Sequence, residues 1–537
     1  MKKVLLTLIV TLAFCGSIFA QQYEPYWEDI NIHGFSNHDP FVAVVALDNN
    51  FILHEDNFAA IEVAAFVGDD DYRGHGFLKS YQSYGDLYPV LEFEIFYNPV
   101  GNDDESSIPV HFKMYDHSTN TLYDYWTSTM DIVTQVRYNK YPSQANMDAG
   151  IVPIISFFHT FTKPISAYTE DGGYYLIASP LNQAVSPEDV LSMISNNYDL
   201  YAFDQSAEDG LEWRNYETGA FETLEAGKGY LYANSGDVTL TFIGAPYTGT
   251  GEVTLNYDAN AEFPGWNLVG NPFAQTAIID RDEFYVMKSD GTEIITSERN
   301  TVNPMEGIFV VAAADGETLT FSTTEPNQSK GQIVLNVTQD RGNVIDRAIV
   351  RFQGSMLPKF MLNANNTKLY IPENGDDFAV VRSKKSGRLP INFEPAQNGN
   401  YTISVYPDNV NMKYLHLVDN MTGSDIDLLR TPSYSFDAST TDNAERFVLV
   451  FKVAINPILQ FAIKDGNTKD FGFYSDGNWI INNDGDAILQ VVDLNGQILS
   501  SEEISGCVSK HIEAAPGIYM LRLINGNDMK VQKIIVK

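Results

Sequence analysis

The sequence predicts an all-β protein built of tandem β-sandwich domains with a central duplicated β unit. Three observations predict this fold class. Short apolar segments alternate with polar residues, turns rich in Asn, Asp and Gly separate them, and one ordered set of segments occurs twice. At 537 residues the chain has room for about three to five domains. We predict domains over residues 1–20, 21–160, 161–330, 331–455 and 456–537.

The first and third large domains are predicted to be sandwiches because apolar residues recur at every second position. Residues 61–67, 91–97 and 110–115 show this alternation in the first domain. Residues 333–337 and 447–451 show it in the third. A period of two places one face of each strand against a core and the other toward solvent.

The central domain is predicted to contain two copies of one β unit. With two copies, a closed pair that shares one core is favoured over an open solenoid, which needs at least about three repeats. A short peripheral helix is also predicted at residues 186–194, from a Ser cap, Pro at the first helical position and early acidic residues. The sequence blocks that recur in the same order are 173–181 and 265–273, 200–203 and 284–287, 229–231 and 307–309, and 238–242 and 317–321.

The charge balance excludes nucleic acid as a partner. Lys and Arg total 34 against 70 Asp and Glu, which gives a formal net charge of −36. Such a chain repels phosphate backbones and anionic lipid surfaces. It is expected to present a solvated acidic surface that favours solubility.

Two acidic turns are candidate calcium sites. Asp69, Asp70 and Asp71 follow Gly68, and residues 482–486 form a similar cluster of Asn and Asp. Both gather oxygen ligands of the kind that Ca²⁺ prefers, but neither matches the EF-hand loop. The alternative is an ordinary turn held by Asx hydrogen bonds. Apart from this possible calcium, no cofactor is predicted.

The tyrosines between Tyr81 and Tyr88 are a candidate binding strip. Exposed aromatic rings stack on sugars and on partner proteins, which is one interpretation of this segment. In the other interpretation the rings simply pack within the sheet.

The N-terminal residues have the pattern of a cleavable signal peptide. Lys2 and Lys3 precede an apolar run over residues 4–14, and cleavage is predicted between Ala20 and Gln21. The apolar run is about half of the ~20 residues that a spanning helix needs, so no membrane anchor is expected to remain. No other transmembrane segment is predicted.

Cleavage would leave one cysteine in the mature chain. A lipoprotein site at Cys15 is rejected because bulky Phe14 stands where a small residue is required. Cys507 then has no partner for an intramolecular disulfide. The domains must therefore be stabilised by large apolar cores, which the hydrophobic content of 44% allows.

The C-terminal residues are predicted to form two β-hairpins. The first turns at Asn495-Gly496, a pair that supplies both positive φ angles of a type I′ turn, and the second turns at Asn525-Gly526. In the second hairpin Tyr519, Leu521 and Leu523 share one face.

These hairpins resemble the C-terminal sorting domain of Bacteroidetes proteins exported by the type IX secretion system. The resemblance covers the chain from about Gly466 and is carried by residues 489–499, 516–526 and 531–537, with Gly517, Tyr519 and Lys533 as the sorting motif. The Pro-Asn-Pro opening found in many such domains is absent. The resemblance implies an Ig-like β-sandwich, the type IX machinery as a partner, and a location at the cell surface or outside the cell.

Catalytic motifs are absent, so the chain is predicted not to be an enzyme. The nine histidines are scattered, and no zinc-hydrolase, nucleophile-elbow, P-loop or dinucleotide motif occurs. The favoured hypothesis is an adhesin-like, binding or structural protein with an unknown glycan or protein ligand. The alternative is a secreted hydrolase of polysaccharide or protein, with carboxylates contributed by separate strands of the central repeat.

Removal of the residues from Gly466 onward should trap the chain in the periplasm, because the sorting signal is predicted to lie there. Cell fractionation and surface immunolabelling would measure the location, with the full-length chain as the control. Continued surface display of the truncated chain would contradict the sorting assignment.

Overall fold

The chain is all-β, as the sequence predicts: strands make up 55% of the structure and helices 3%. The structure is a computed structural model, and two compact units are present, residues 1–410 with 415–451, and residues 411–414 with 452–537. The described residues are 23–51, 58–68, 70–83, 85–98, 105–135, 142–169, 172–208, 210–281, 283–324, 331–340, 342–360, 366–454, 472–475, 478–481, 486–493, 497–505, 508–512, 514–515, 517–525 and 528–536.

The N-terminal domain is one curled sheet of nine described strands in the order β7-β6-β3-β4-β5-β1-β9-β8, with β2 paired to β1. Neighbours are antiparallel except β1 and β9. A 3₁₀ turn (Ile32–Gly34) precedes the sheet and helix α1 (Gln144–Asp148) precedes its last strand. The strands are β1 (Asn37–Leu47), β2 (Asn50–Phe51), β3 (Ile61–Val67), β4 (Asp71–Ser83), β5 (Asp86–Tyr97), β6 (Val110–Asp116), β7 (Thr121–Tyr123), β8 (Trp126–Ser128) and β9 (Ile154–Phe157).

The inner face of this sheet folds over one apolar core, and a second, smaller apolar cluster lies on the outer face. Phe41 of β1 stacks on Phe112 of β6 with ring centroids 5.2 Å apart, although three strands separate β1 from β6 along the sheet. The two halves of the sheet therefore face each other like the layers of a sandwich. β3 differs from its predicted half-buried pattern: all seven residues are buried. The segment 23–27 contacts the outer face of β3, which accounts for the second buried side.

The central domain consists of two copies with the same strand order. The first copy contains the sheet β11-β14-β12-β13 and the pair β10-β15; the second contains β17-β22-β19-β20 and the corresponding pair β16-β23, which β18 and β21 extend. The strands of the first copy are β10 (Thr160–Ile165), β11 (Tyr175–Ala178), β12 (Tyr198–Phe203), β13 (Trp213–Asn215), β14 (Gly229–Asn234) and β15 (Val238–Ile243). Those of the second are β16 (Glu252–Thr254), β17 (Trp266–Gly270), β18 (Ala277–Ile279), β19 (Tyr285–Met287), β20 (Ile294–Thr296), β21 (Thr301–Val302), β22 (Gly307–Val311) and β23 (Thr318–Ser322).

The helix predicted at residues 186–194 is wrong beyond its first turn. Ser186 does cap, accepting from the Glu188 amide at 3.3 Å, but the helical segment is a single 3₁₀ turn, Pro187–Asp189. Ser192 then adopts a φ of 67°, which no right-handed helix tolerates. Leu191 instead exchanges backbone hydrogen bonds with Thr241 of β15. A second 3₁₀ turn lies at Tyr216–Thr218.

The two copies contact each other reciprocally. Ile177 of the first copy forms a β-bridge with Glu306 of the second, and Val269 of the second forms one with Lys228 of the first. The repeat aligns Ile177 with Val269 and Lys228 with Glu306. Each copy therefore offers the same two positions to the other, as in an isologous interface with two-fold symmetry.

The backbone hydrogen bonds at this interface repeat the same reciprocity. The amide of Ala178 donates to the carbonyl of Met305 at 3.3 Å, and the equivalent amide of Gly270 donates to the equivalent carbonyl of Gly227 at 3.0 Å. Both acceptor residues have positive φ, 54° for Met305 and 82° for Gly227. A methionine in this left-handed region is uncommon, and the interface holds it there.

Glycines allow the copies to approach this closely. A Cβ atom at Gly270 would lie 2.4 Å from Cβ of Ala178, and one at Gly229 would lie 2.6 Å from the carbonyl oxygen of Val269. A Cβ atom at Gly307, the equivalent of Gly229, would lie 3.0 Å from the carbonyl oxygen of Ile177 in the first copy. The interface therefore has no room for side chains at these positions.

The third sheet continues the core of the central pair. Buried Phe360 packs with Trp266, Tyr285 and Phe309 of the second copy, and the Tyr285 hydroxyl donates to the Pro358 carbonyl at 2.9 Å. The described strands follow the order β32-β31-β34-β29-β27-β28-β25-β24-β30-β33, with β26 paired to β28. They are β24 (Gln332–Gln339), β25 (Val344–Arg351), β26 (Leu357–Pro358), β27 (Lys368–Glu373), β28 (Asp376–Arg382), β29 (Ser386–Glu394), β30 (Gly399–Asp408), β31 (Met412–Asp419), β32 (Ser424–Asp427), β33 (Ser433–Ala438) and β34 (Phe447–Val453).

The second unit contains the strand pairs of the two predicted hairpins, whereas the turn residues Asn495, Gly496 and Gly526 lie outside the described residues. Its sheets have the orders β35-β36-β39 and β38-β37-β40-β41, so β37 pairs with β38 and β40 with β41. Leu521 and Leu523 are buried in its core as the alternation predicts. The strands are β35 (Gly472–Ser475), β36 (Asn478–Ile481), β37 (Asp486–Val492), β38 (Ile498–Ser505), β39 (Val508–Lys510), β40 (Gly517–Asn525) and β41 (Asp528–Val536).

Gly270→Ala should destabilise the first unit by about 1–3 kcal/mol, because the added methyl overlaps the Ala178 methyl at the interface between the copies. Thermal or urea unfolding would measure the loss. Gly34→Ala is the matched control, since a Cβ there meets nothing within 4 Å. Adding Ala178→Gly should restore part of the stability; an unchanged melting temperature for Gly270→Ala would contradict the close contact.

Candidate ligand-binding cleft

A cleft of about 660 Å³ lies within the first unit, where the two copies meet the third sheet. This volume falls in the range of small-molecule sites, about 300–1,000 Å³. Its walls come from β10 and β11 of the first copy, from β19, β20 and the segments that follow them in the second, and from β25 of the third sheet. Both central copies and the third sheet are therefore needed to form it.

Three ion pairs lie in the cleft wall. In each, a cation is held by a neighbouring carboxylate, and Arg347 also donates to Asn336 at 2.6 Å and to the Thr296 carbonyl at 2.8 Å. These cations are thus already neutralised within the protein. The pairs are Lys288 with Asp290 at 3.3 Å, Arg347 with Glu298 at 2.9 Å, and Arg299 with Glu306.

Lys163 is the fourth cation of the wall. Within the described residues its ammonium has no hydrogen bond and no ion pair. Burial lowers the pKa of Lys163, the carboxylate of Glu306 partly offsets this, and the charge of Arg299 lowers the pKa further. Four cationic side chains thus face three carboxylates, which leaves one net positive charge in a chain whose formal net charge is −36.

The position of Lys163 on β10 explains its desolvation. Side chains alternate along a strand, so Lys163 shares a face with Phe161 and Ile165. Both of these pack against the core of the first copy. The lysine stem therefore leaves an apolar surface and its ammonium reaches the cleft, where less water surrounds it.

The remaining wall offers hydrogen-bonding groups and one aromatic ring. Burial would raise the pKa of Asp290, but hydrogen bonds from Thr292 and the charge of Lys288 outweigh it, and the pKa falls below its usual value. Tyr175 is half-buried, with its hydroxyl accepting from the Ser166 amide at 3.0 Å. The cleft can therefore hold a polar ligand with both charged and hydroxyl groups.

A buried carboxyl beside the cleft has a perturbed pKa. Burial raises the pKa of Glu293 to about 7, and its Oε2 atom has no hydrogen-bond partner among the described residues. A cavity of about 20 Å³ separates it from Asp346 and Lys359, whose charges pair with each other. That volume holds about one water molecule and leaves no room for a sugar or peptide.

The structure places the predicted calcium residues beside cations. Asp70 lies 3.1 Å from the Lys113 ammonium, and Asp71 lies 2.6 Å from the guanidinium of Arg73. Asp69 and residues 482–485 lie outside the described residues. In the part of the chain that is described, no group of three His, Cys, Asp or Glu side chains is arranged to hold a metal ion. Calcium binding stays a prediction.

The tyrosine strip packs at one of its ends. Tyr88 is 4% exposed and lies across from Tyr81, which is partly buried against the same apolar cluster. The interpretation of Tyr88 as an exposed stacking ring is therefore wrong, because the outer face of β5 is covered near helix α1. Tyr84 lies outside the described residues.

The sorting-motif residues lie on the last hairpin. Gly517 and Tyr519 are on β40, and the Tyr519 hydroxyl donates to the Ala515 carbonyl at 2.8 Å. Lys533 is exposed on β41. The predicted cleavage residues, Ala20 and Gln21, lie outside the described residues.

A buried carboxylate with two histidines was not anticipated from the sequence. Glu62 is fully buried on β3; its Oε2 lies 2.9 Å from Nε2 of His117, and its Oε1 lies 3.4 Å from Nδ1 of His75. It also accepts the Tyr26 amide at 2.7 Å. The carboxylate thus anchors the segment 23–27 on the sheet. An acid in the middle of a strand with no polar residue on either side was the available signal.

Comparison with known proteins leaves the function open. No protein-family model matches the chain, and no curated protein matches it. Among solved structures, one match is a biofilm associated protein BSP domain, with 8% identity, a TM-score of 0.10, and 96% of this chain and 98% of that chain covered. Another is Escherichia coli alpha-2-macroglobulin activated by porcine elastase, with 11% identity, a TM-score of 0.10, and 93% and 53% covered. At these TM-scores neither likeness supports a functional assignment.

Within the described residues, no helix combines the length and the hydropathy that crossing a bilayer requires.

Lys163→Met should raise the melting temperature at pH 7. The folded-state pKa of Lys163 lies below its unfolded value of about 10.4, so the unfolded chain binds more protons between these two pKa values and stability rises with pH there. The advantage of the variant should therefore shrink as the pH approaches 10. Differential scanning calorimetry at pH 7 and pH 10 would measure it.

The matched control is Lys79→Met, which removes the same charge from a side chain that is 64% exposed. It should change the melting temperature little at either pH. A lower melting temperature for Lys163→Met at pH 7 would contradict the desolvation of this lysine.

Proposed function

We propose that the chain is a modular, adhesin-like binding protein whose ligand occupies the cleft between the two copies and the third sheet. The observation that carries this proposal is the wall of the cleft, in which three cations are neutralised by carboxylates and Lys163 is not. A desolvated ammonium without a partner costs stability. Such a cost is typical of binding sites, where the ligand supplies the missing partner.

The proposal includes export through type IX secretion to the cell surface or the medium. The signal-peptide pattern and the resemblance of the terminal hairpins to sorting domains support it. The type IX machinery is the expected partner for the second unit. The acidic composition, which repels nucleic acid, agrees with an extracellular role.

The hydrolase alternative has one supporting observation. Glu293, with a pKa of about 7, has the proton affinity that a general acid needs. A glycosidase also needs a second carboxylate and space for the scissile bond between them. The cavity beside Glu293 is too small for a substrate and the nearby Asp346 is bound to Lys359. Binding without turnover is therefore the better-supported function.

Ser289→Trp and Asn303→Trp should abolish ligand binding by filling the cleft. Both side chains are exposed in its wall. A glycan array and a panel of matrix proteins, probed with the labelled chain, would identify ligands that the natural sequence binds. Gln183→Trp, an equally exposed substitution in the first copy outside the cleft, is the matched control and should bind normally.

Two results would contradict the proposal. Equal binding by all three tryptophan variants would place the ligand elsewhere on the chain. Release of reducing ends or peptide fragments from the bound ligand, measured with the same preparations, would favour the hydrolase.

A further inference from the structure

We infer that the ligand of the cleft is an acidic saccharide, whose sugar carboxylate pairs with the ammonium of Lys163. This inference rests on the proposed function and adds the chemical class of the ligand. It follows from the charge of the wall, from its hydrogen-bonding groups, and from a comparison between the two copies.

The charge of the wall fits a ligand with one negative charge. Arg299 donates to the Thr301 carbonyl as well as to Glu306, and Arg347 is held by a side chain, a carbonyl and a carboxylate. Lys163 is thus the cation of the wall whose ammonium can still pair with a carboxylate of the ligand. A densely sulfated or phosphorylated ligand would bring several charges close to Asp290, Glu298 and Glu306, which would repel it.

The hydrogen-bonding groups of the wall fit hydroxyls. Ionised carboxylates only accept hydrogen bonds, and the side chains of Glu298 and Asp290 are 41% and 32% exposed. Each can accept from a ligand hydroxyl while keeping its own cation. Ser289 and Asn343 add neutral groups, and the half-buried ring of Tyr175 borders the same space. A sugar acid carries several hydroxyls around one carboxylate, whereas an acidic peptide carries one backbone donor per residue.

The second copy shows that the fold does not require a lysine at this position. Lys163 pairs with Leu240 across β10 and β15, and Val253 pairs with Leu319 across β16 and β23. Because the repeat aligns Leu240 with Leu319, Val253 is the structural equivalent of Lys163. Val253 packs against the apolar core of its copy. An apolar residue is thus sufficient for the fold at this position. Lys163 replaces it in the first copy, which is the copy that contributes this position to the cleft.

The experiment titrates the full mature chain with defined probes by isothermal titration calorimetry at low and moderate salt. The probes are oligosaccharides of glucuronic, galacturonic and mannuronic acid, their carboxyl-reduced neutral forms, and oligo-aspartate. At least one acidic oligosaccharide should bind, and carboxyl reduction or Lys163→Met should weaken it tenfold or more, since a charge-assisted hydrogen bond is lost. Lys163→Arg should keep most of the affinity, and Lys79→Met should leave it unchanged.

The outcomes separate this inference from the proposed function. Equal binding of the acidic and carboxyl-reduced sugars, or undiminished binding by Lys163→Met, would overturn the carboxylate assignment. If Ser289→Trp still abolished binding in that case, the cleft would remain the binding site. Tighter binding of oligo-aspartate than of any sugar would overturn it in favour of an acidic peptide. If Ser289→Trp bound the ligands found on the array as well as the natural sequence does, the proposed function would be contradicted, and this inference with it.

Discussion

The reciprocal backbone contact between the two central copies is the constraint on which the rest of the first unit depends. Amides and carbonyls at equivalent positions bond in both directions, and glycines hold the strands close enough for this. The contact brings the aromatic cores of both copies to one side, where buried Phe360 of the third sheet joins them. Three segments that follow one another in sequence thereby share one apolar cluster, in addition to the separate core of each copy.

The interface between the copies is symmetric although the cleft beside it is not. Two-fold packing requires only a few backbone positions to match, so side chains away from those positions were free to diverge after duplication. Glu306 and its equivalent Lys228 carry opposite charges although they make the same bridge. Lys163 and Val253 differ in the same way. One copy thus has an apolar residue at this position, and the other contributes a charged side chain to the wall of the cleft.

Local sequence patterns are sufficient to predict the fold, but the cleft depends on contacts between residues far apart in the sequence. Alternation and the ordered repeat were sufficient for the all-β class and the duplicated unit, because both depend on short periodicities. A helix is predicted after Ser186 because the cap residue favours one. It ends after its first turn because Leu191 forms backbone hydrogen bonds with Thr241 of β15 instead. The cleft could not be foreseen, because Lys163 and Arg347 line the same space only after both copies and the third sheet have assembled. No spacing in the sequence shows which of the cations lacks a carboxylate partner.

The segment anchored by Glu62 has a consequence for recognition by other proteins. Tyr26 stacks on Tyr115 with ring centroids 3.9 Å apart, and Trp27 lies edge-on to Phe66, so the segment covers the outer face of β3 and β6 at these positions. A partner that docks on this face must first displace the segment. The apparent affinity of such a partner would equal its affinity for the uncovered face multiplied by the fraction of molecules in which the face is uncovered. The segment 23–27 would thus compete with any partner for this face, whereas the central cleft is open to solvent.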